Sequence, residues 1–322
     1  MICLGIESTA HTFGIGIATD KGKILANVLK PVITKKGGII PNEAADHHVE
    51  VCDEAISEAL ETAKVKMKDV DLISFAQGPG IGHTLRVGAM TAKTLSLLHK
   101  IPLIGVNHCI GHLEIGKLLT DAKDPVLLYV SGANTQVIAF EEGKYRIFGE
   151  TLDIGIGNML DVFGREIGFG FPAGPKIMEM AAKGKRYVEI PYVIKGMDVS
   201  FGGILTNVTE KHRTGKHSKT DLCYSLQETV FAMLVEAAER AMAHTGKKEL
   251  LLGGGVASNL RLQEMCRIMC KERGAKLFVP ERQFLVDNGA MIAVLGLLEY
   301  NNGKRTRVED SAIKPYWRTD EV

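Results

Sequence analysis

Near the start of the chain, hydrophobic positions fall in three short runs, 2–6, 13–19 and 24–29, each cut off by small or charged residues. The first break is Glu7-Ser8-Thr9 and the second is Asp20-Lys21-Gly22-Lys23, a tight hairpin turn, so the opening predicts three strands. A loop with Lys35, Lys36, Gly37 and Gly38 follows. Asn42 is expected to cap a long amphipathic helix to about Lys64, with Ala44, Ala45, Val49, Cys52, Ala55, Ile56 and Leu60 on one stripe. The run 72–76 reads as a buried strand. Gly78-Pro79-Gly80 and Gly82 then open a helix over 84–99, and a further strand, 102–106, ends at Asn107-His108.

After Asp124-Pro125 the opening pattern recurs. Runs 126–130, 136–140 and 145–148 are strands, separated by Ser131-Gly132-Ala133-Asn134-Thr135 and by Glu141-Glu142-Gly143-Lys144. This repeats the strand, small-residue loop, strand, charged glycine turn and strand of the first segment, with a whole lobe as its period. Helices are expected over 158–167 and 174–183, then an irregular stretch to about Lys219, a long helix 221–244 and a strand 249–252. Gly253-Gly254-Gly255 leads into a helix from Ser258 to about Arg273, and a strand 276–279 and a helix 288–300 follow. Strand–helix alternation after a duplicated meander implies an α/β protein: two lobes, each a mixed sheet flanked by helices, with a nucleotide cleft between them. The lobes are expected at 1–124 and 125–300, with the tail 301–322 returning to the first.

Length agrees, since 322 residues at roughly 150 per domain make about two domains. The 39 Lys and Arg against 38 Asp and Glu leave a net charge of +1. A nucleic acid would therefore have to meet a local patch rather than the overall field. The densest such patch is Lys211, His212, Arg213, Lys216, His217 and Lys219, read either as a solvated loop or as a phosphate contact. Lys304, Arg305 and Arg307 form a smaller one. No apolar run reaches the ~18 residues of a membrane span, the first residues lack a basic leader, and the six cysteines show no CxxC pair. A reducing cytoplasm is expected. The 35 glycines exceed the usual ~7% share, and many follow predicted strands, where a backbone must approach something closely.

His108-Cys109-Ile110-Gly111-His112 sets two imidazoles at i and i+4, one face of a helix, a spacing that suits one metal ion or a pair of capping or partly buried histidines. A zincin protease would need Glu directly after the first His; Cys109 stands there, and Glu114 lies beyond the pair. Asp287, at the start of the last helix, is read as a third ligand or as an N-cap. Gly254 and Gly255 allow backbone amides to approach a nucleotide, with Asn259 just beyond. Glu7, Ser8 and Thr9, and Ser131, Gly132, Ala133 and Asn134, are equivalent loops of the repeat, suited to clamping phosphates. Asp161 follows the second meander, and Gly174 belongs to another glycine-lined approach.

The stretches GIESTAHTFG, QGPGIGHTLRVG, NHCIGHLE, YVSGANTQ, GNMLDVFGR, FPAGP, GGGVASN and DNGAMIA occur in an order that resembles one group. It is the universal tRNA threonylcarbamoyladenosine synthesis transferases, the TsaD/OSGEP family, in its archaeal and eukaryotic branch. The likeness covers nearly the whole chain and implies the actin-like (ASKHA) fold. It implies transfer of threonylcarbamoyl from threonylcarbamoyl-adenylate to the exocyclic amine of the adenosine beside the anticodon of ANN-decoding tRNAs, with AMP leaving. By motif, His108, His112 and Asp287 match metal ligands, usually for iron or zinc. Tyr129, Val130, Ser131, Gly132 and Ala133 match the substrate loop, and Asp161, Gly174 and Asn259 the nucleotide contacts.

The resemblance also implies partners: tRNA, a small atypical protein kinase that some archaea fuse at the C-terminus, and other small KEOPS-type subunits. A kinase-fusion protein would contain a chain like this one as a fragment. Departures are Ala133 for the second glycine of SGGNT, Met178 where many relatives have Glu, and Val286 for a common Thr or Cys. Rival readings are a small-molecule kinase of the same fold, a metalloprotease-like protein and a non-catalytic scaffold.

Overall fold

A computed structural model of the chain describes residues 1–34 and 38–322, so Lys35, Lys36 and Gly37 of the expected loop lie outside the described residues. In chain order the first half runs β1 (Ile2–Glu7), β2 (Thr12–Thr19), β3 (Ile24–Pro31), α1 (Pro41–Ala63), β4 (Leu72–Gly78), α2 (Gly82–His99), β5 (Leu103–Asn107) and α3 (His108–Leu119). The second half runs β6 (Val126–Val130), β7 (Thr135–Glu141), β8 (Lys144–Glu150), α4 (Ile156–Glu166), α5 (Gly174–Ala181), the short hairpin β9 (Ile194–Lys195) and β10 (Asp198–Val199), α6 (Gly202–Arg213) and α7 (Lys219–Thr245). It continues through β11 (Glu249–Gly253), α8 (Leu260–Glu272), β12 (Lys276–Phe278), α9 (Arg282–Leu285) and α10 (Gly289–Asn301).

The repeat read from the sequence is a repeat of topology. One five-stranded sheet has the order β3-β2-β1-β4-β5 and the other, read from the same end, β8-β7-β6-β11-β12. In each, a three-stranded antiparallel meander joins two parallel strands through its first member. The turn between β7 and β8 shows why its residues recur: Glu142 and Gly143 both take positive φ, 52° and 78°, as a hairpin matched to the strand twist requires.

The compact units differ from the lobes expected at 1–124 and 125–300. The first unit is Met1–Val32, Ile39–Leu119 and Asp287–Val322, and the second is Ile33–Gly38 and Thr120–Val286. The tail returns to the first unit as expected, but α10 goes with it. Alternation along the strands gives the reason. Leu4, Ile6, Phe13, Ile15 and Ile17 face one way into a core with Ala55, Ala59, Ala89 and Ala92 of α1 and α2, while Gly5, Gly14 and Gly16 face the other way against α10. A Cβ at Gly5 would lie 2.8 Å from the Ala293 Cα, and one at Gly14 would lie 3.0 Å from the Gly289 nitrogen. The helix that seats there is apolar on every side, with Ala290, Met291, Ile292, Ala293, Leu295 and Leu297 all buried.

Residues 302–322 then run as a strap along β4 and β5. Lys314 N donates to Gln77 O at 2.7 Å, Gly80 N to Pro315 O at 3.1 Å and Gly105 N to the Thr306 hydroxyl at 3.1 Å. The Gln77 side chain donates to Ala312 O at 2.8 Å. In the second unit the core gathers around α7, which buries Leu222, Leu226, Val230, Phe231, Met233 and Leu234.

Three local expectations are corrected. Asn42 does not cap α1: Pro41, pre-set for the first helical position, starts the helix one residue earlier, and Ile40 stands at the cap without a side-chain bond. Val49 is exposed, and His48 takes the buried place on that stripe. The stretch expected to be irregular contains α6, whose mixed polar sequence masks a helix anchored by buried Ile204 and Val208.

Two consequences are testable. Gly16→Ala drives a methyl into the α10 backbone and is expected to cost about 1–3 kcal/mol or more, read as a lowered Tm; an unchanged Tm would mean that α10 can shift to make room. His48 is fully buried beside Phe13, its ring nitrogens have no hydrogen-bond partner among the described residues, and burial pushes its pKa down from 6.5 to about 3, with His47 and His11 adding to the effect. Between those values the unfolded chain binds a proton that the folded chain refuses, so stability falls as pH drops from 6.5 towards 3, by up to about 1.4 kcal/mol per pH unit. Denaturant titrations of His48→Leu should show a flatter pH dependence than the wild type over that window; an identical slope would refute this.

Candidate metal centre

The centre is assembled within the first unit. β5 ends in Asn107, fully buried, whose side-chain oxygen accepts from Cys109 N at 2.9 Å and Ile110 N at 3.4 Å and so caps α3. The cap fixes His108 as the first residue of the helix, with His112 one turn on. Their rings stand edge to face, centroids 4.9 Å apart and planes at 81°.

Asp287 comes from the other end of the chain. It is not the cap of α10: Asn288 holds that place, accepting from Met291 N at 2.9 Å. The Asp287 carboxylate is thereby released to face the imidazoles, with Oδ1 3.3 Å from His108 Nε2 and 3.4 Å from His112 Nε2. These three side chains are a group of possible metal ligands among the described residues, their donor atoms all within 4.8 Å of one another.

The separations fit a metal better than a direct hydrogen-bonded cluster. Nitrogen and oxygen ligands about 2.0–2.1 Å from a tetrahedral ion lie about 3.3–3.4 Å from each other, and good N–H···O bonds are shorter, about 2.7–3.2 Å. Two imidazoles and one carboxylate suit a borderline divalent cation such as iron or zinc rather than calcium, which takes oxygen ligands.

Electrostatics prepare the same set. Burial pushes the His112 pKa down, leaving a neutral imidazole with lone pairs to give. Burial alone would raise the Asp287 carboxyl, but His108 and His112 outweigh it and hold the group ionised, well below the usual carboxylate range. Glu7, fully buried, has its Oε2 2.8 Å from His108 Nδ1, while its Oε1 accepts from Thr9 N at 2.7 Å and from the Thr9 hydroxyl at 2.5 Å. A proton shared between His108 Nδ1 and Glu7 leaves Nε2 facing the centre, the usual arrangement of a carboxylate behind a metal-binding histidine. Cys109, between the two histidines in sequence, is buried, burial lifts its thiol to about 11, and it is not in the group of possible ligands. Glu114 pairs with Lys117 at 3.0 Å.

The candidate nucleotide residues fall into two groups. Glu7 and Thr9, expected at a phosphate clamp, bear on His108 instead, and Ser8 is buried against Gly88 of α2. In the second unit, Tyr129 and Val130 are buried strand residues of β6. Ser131 to Asn134 close a turn, with Ser131 N donating to Asn134 O at 2.9 Å, and Gly132 and Ala133 are exposed on it. Gly157 N donates to Ser131 O at 3.0 Å and Asn158 N to Gly132 O at 2.9 Å, which draws the start of α4 onto this turn. Gly254, at φ 92°, packs onto the same turn, where a Cβ would meet Ser131 N at 3.0 Å. Gly255 is open.

Asp161 accepts from Ala173 N at 2.7 Å and so fixes the entry to α5, where Gly174 is the first residue. Asn259, expected to meet a base or ribose, caps α8 by accepting from Arg261 N at 2.9 Å and donates to Gln227 at 2.9 Å. The expected basic patch is partly spent: Arg213 pairs with Glu166 at 2.7 Å, and Lys219 Nζ donates to Ile167 O at 2.7 Å. The sequence reading missed Asn107 and Asn288 as caps and Glu7 as the residue behind His108. An Asn at or just before the start of a helical pattern was the available signal for both caps; nothing local to Glu7 signals a partner a hundred residues away.

Two sheets of one topology, with glycine turns at the ends of their strands, define an actin-like (ASKHA) protein, here with a His–His–Asp cluster in its first unit. The family model described as TsaD, tRNA N6-adenosine threonylcarbamoyltransferase, matches residues 23–294, and the chain belongs to that family. A tRNA N6-adenosine threonylcarbamoyltransferase of Thermococcus kodakarensis is 58% identical over 322 residues, covering 100% of this chain and 98% of that protein. A "Probable bifunctional tRNA threonylcarbamoyladenosine biosynthesis protein" of Methanothermobacter thermautotrophicus is 53% identical and covers 100% of this chain, which spans 60% of its length. Among solved structures, HypF of T. kodakarensis superposes with a TM-score of 0.66 at 15% identity, over 94% of this chain and 48% of that one, a likeness of fold alone. No helix among the described residues is long and apolar enough to cross a membrane.

Glu7→Gln keeps the size of the side chain but removes the charge behind His108. Affinity for Zn²⁺ or Fe²⁺, measured by competition with a chelator, is expected to fall about 10–100-fold with Tm little changed. Wild-type affinity in this variant would detach Glu7 from the centre.

Proposed function

We propose that this chain transfers the threonylcarbamoyl group from threonylcarbamoyl-adenylate to the exocyclic amine of the adenosine next to the anticodon in ANN-decoding tRNAs. A carbonyl carbon–nitrogen bond forms, the carbonyl carbon–oxygen bond to the adenylate phosphate breaks, the amine gives up a proton, and AMP leaves. The match to the transferase family over most of the chain carries this reading, and the spacing of the His–His–Asp donors supports it.

His108, His112 and Asp287 would hold one divalent cation, iron or zinc. Bound there, the cation supplies Lewis acidity and a fixed point for the threonylcarbamoyl group. The chain's own residues set that point in place. Glu7 fixes the tautomer and tilt of His108, the Asn107 cap fixes the start of α3, and the Asn288 cap leaves the Asp287 carboxylate to the centre. An adenosine amine is weakly basic, so the reaction depends on approach geometry more than on a strong general base. Cys109, held as a thiol, takes no covalent part. In the second unit, the exposed turn at Gly132 and Ala133, with Gly255 beside it, would take the adenine nucleotide through backbone amides, whose partial positive charge suits a departing phosphate.

Partners of the proposed enzyme are tRNA, a small atypical protein kinase and other small KEOPS-type subunits, working in the cytoplasm. Support for an appended functional module comes from the bifunctional relatives, of which this chain spans about 60%.

In an assay of unmodified tRNA with threonylcarbamoyl-adenylate and the assembled partners, read by nucleoside mass spectrometry, His108→Ala and Asp287→Ala are expected to lower transfer by more than about 100-fold. Both should retain the far-ultraviolet circular dichroism of the wild type. Full transfer by either folded variant would remove the triad from the chemistry.

A further inference from the structure

Tyr316 is 93% exposed, more than any other large hydrophobic side chain among the described residues. It does not dangle. Its neighbours in the strap are fixed: Lys314 N donates to Gln77 O, Gly80 N to Pro315 O, and Trp317 N to Lys314 O at 3.0 Å. Trp317 is 9% exposed and Thr319 1%. A tethered turn therefore presents one aromatic ring to solvent with little conformational freedom left to lose.

Charge around that ring is selective. Arg307 is neutralised by Glu309 and Asp310, Arg318 by Asp320 and Lys304 by Glu299. No ion pair to Lys314 or Arg305 occurs among the described residues. The Lys314 ammonium lies 4.2 Å from the Trp317 ring centre, and the Arg305 guanidinium is stacked 3.5 Å over Tyr300. Two cations of the strap thus lie over aromatic rings, which suits a polyanion with bare bases better than an apolar protein face.

Position ties the strap to the metal centre. Gly80, which holds Pro315, abuts Thr9, and Ile81 N donates to Thr9 O at 2.8 Å. The Thr9 hydroxyl in turn lies 3.3 Å from His108 Nδ1.

We infer that Tyr316 is a substrate-contact residue that stacks on an unpaired base of the tRNA anticodon loop, with Lys314 and Arg305 meeting the flanking phosphates. The inference rests on the transferase reading for the identity of the RNA. It is tested by titrating the full-length chain into a fluorescent anticodon stem-loop of an unmodified ANN-decoding tRNA.

Tyr316→Ala should weaken binding roughly 5- to 150-fold, the worth of one stacked base. Tyr316→Phe should bind within about twofold of the wild type, and Lys314→Ala should reduce the slope of log affinity against log salt by about one. Tm and bound metal should not move. The inference is overturned if the wild type fails to bind the stem-loop, if Tyr316→Ala binds like the wild type, or if Tyr316→Phe is as weak as Tyr316→Ala. It is also overturned if Tyr316→Ala loses only a protein partner. A wild type that binds the stem-loop yet transfers nothing would sink the transferase reading and leave the stacking contact standing. Transfer with an unchanged KM for tRNA in Tyr316→Ala would sink the contact alone.

Discussion

The seating of α10 on the bare face of β1 and β2 is the contact on which the rest depends. At Gly5, Gly14 and Gly16 that face carries no side chains, so the helix backbone approaches the strand backbone directly. Such closeness leaves little play in the position of the helix start. A chelating site tolerates errors of only a few tenths of an ångström, and Asp287, one residue ahead of the Asn288 cap, inherits its place from this packing. The histidines arrive from a different element, α3, placed by the Asn107 cap at the end of β5. Two asparagine caps thus aim the two halves of one centre.

Charge completes what packing begins. A buried imidazole prefers to be neutral and a buried carboxylate prefers to be protonated. Here burial keeps His112 neutral, while Asp287 is held ionised by the histidines beside it. Glu7 adds a second buried carboxylate behind His108, bonded to Thr9 as well, so its orientation is fixed from two sides. The motif around Glu7 thereby joins the candidate metal centre, although its place in the repeat matches the Ser131 turn of the second unit.

Much of this was legible in the sequence, for reasons that particular elements make clear. The meanders were readable because their strands alternate or run continuously apolar and their turns carry Gly22 and Gly143 at positive φ. The His108/His112 pair was readable because helical spacing is local information. What failed was non-local or ambiguous. The lobe boundary was misplaced at α10 because an all-apolar helix does not reveal which sheet it covers. Asp287 could be read as a ligand or as a cap because Asp and Asn cap equally well; the neighbouring Asn288 is the cap. The sequence could not show that Asn259 also caps α8 and donates to Gln227. Helix α6 was lost in polar sequence whose few apolar positions give a weak period.

The discontinuity of the first unit bears on how the molecule is made. During synthesis, β1 and β2 emerge long before α10, the helix that covers their glycine positions, whereas the second unit draws almost all of its residues from one continuous stretch, Thr120–Val286. The covering helix and the third ligand emerge together only afterwards. Binding of a cation by all three side chains would therefore have to wait until α10 has met β1 and β2.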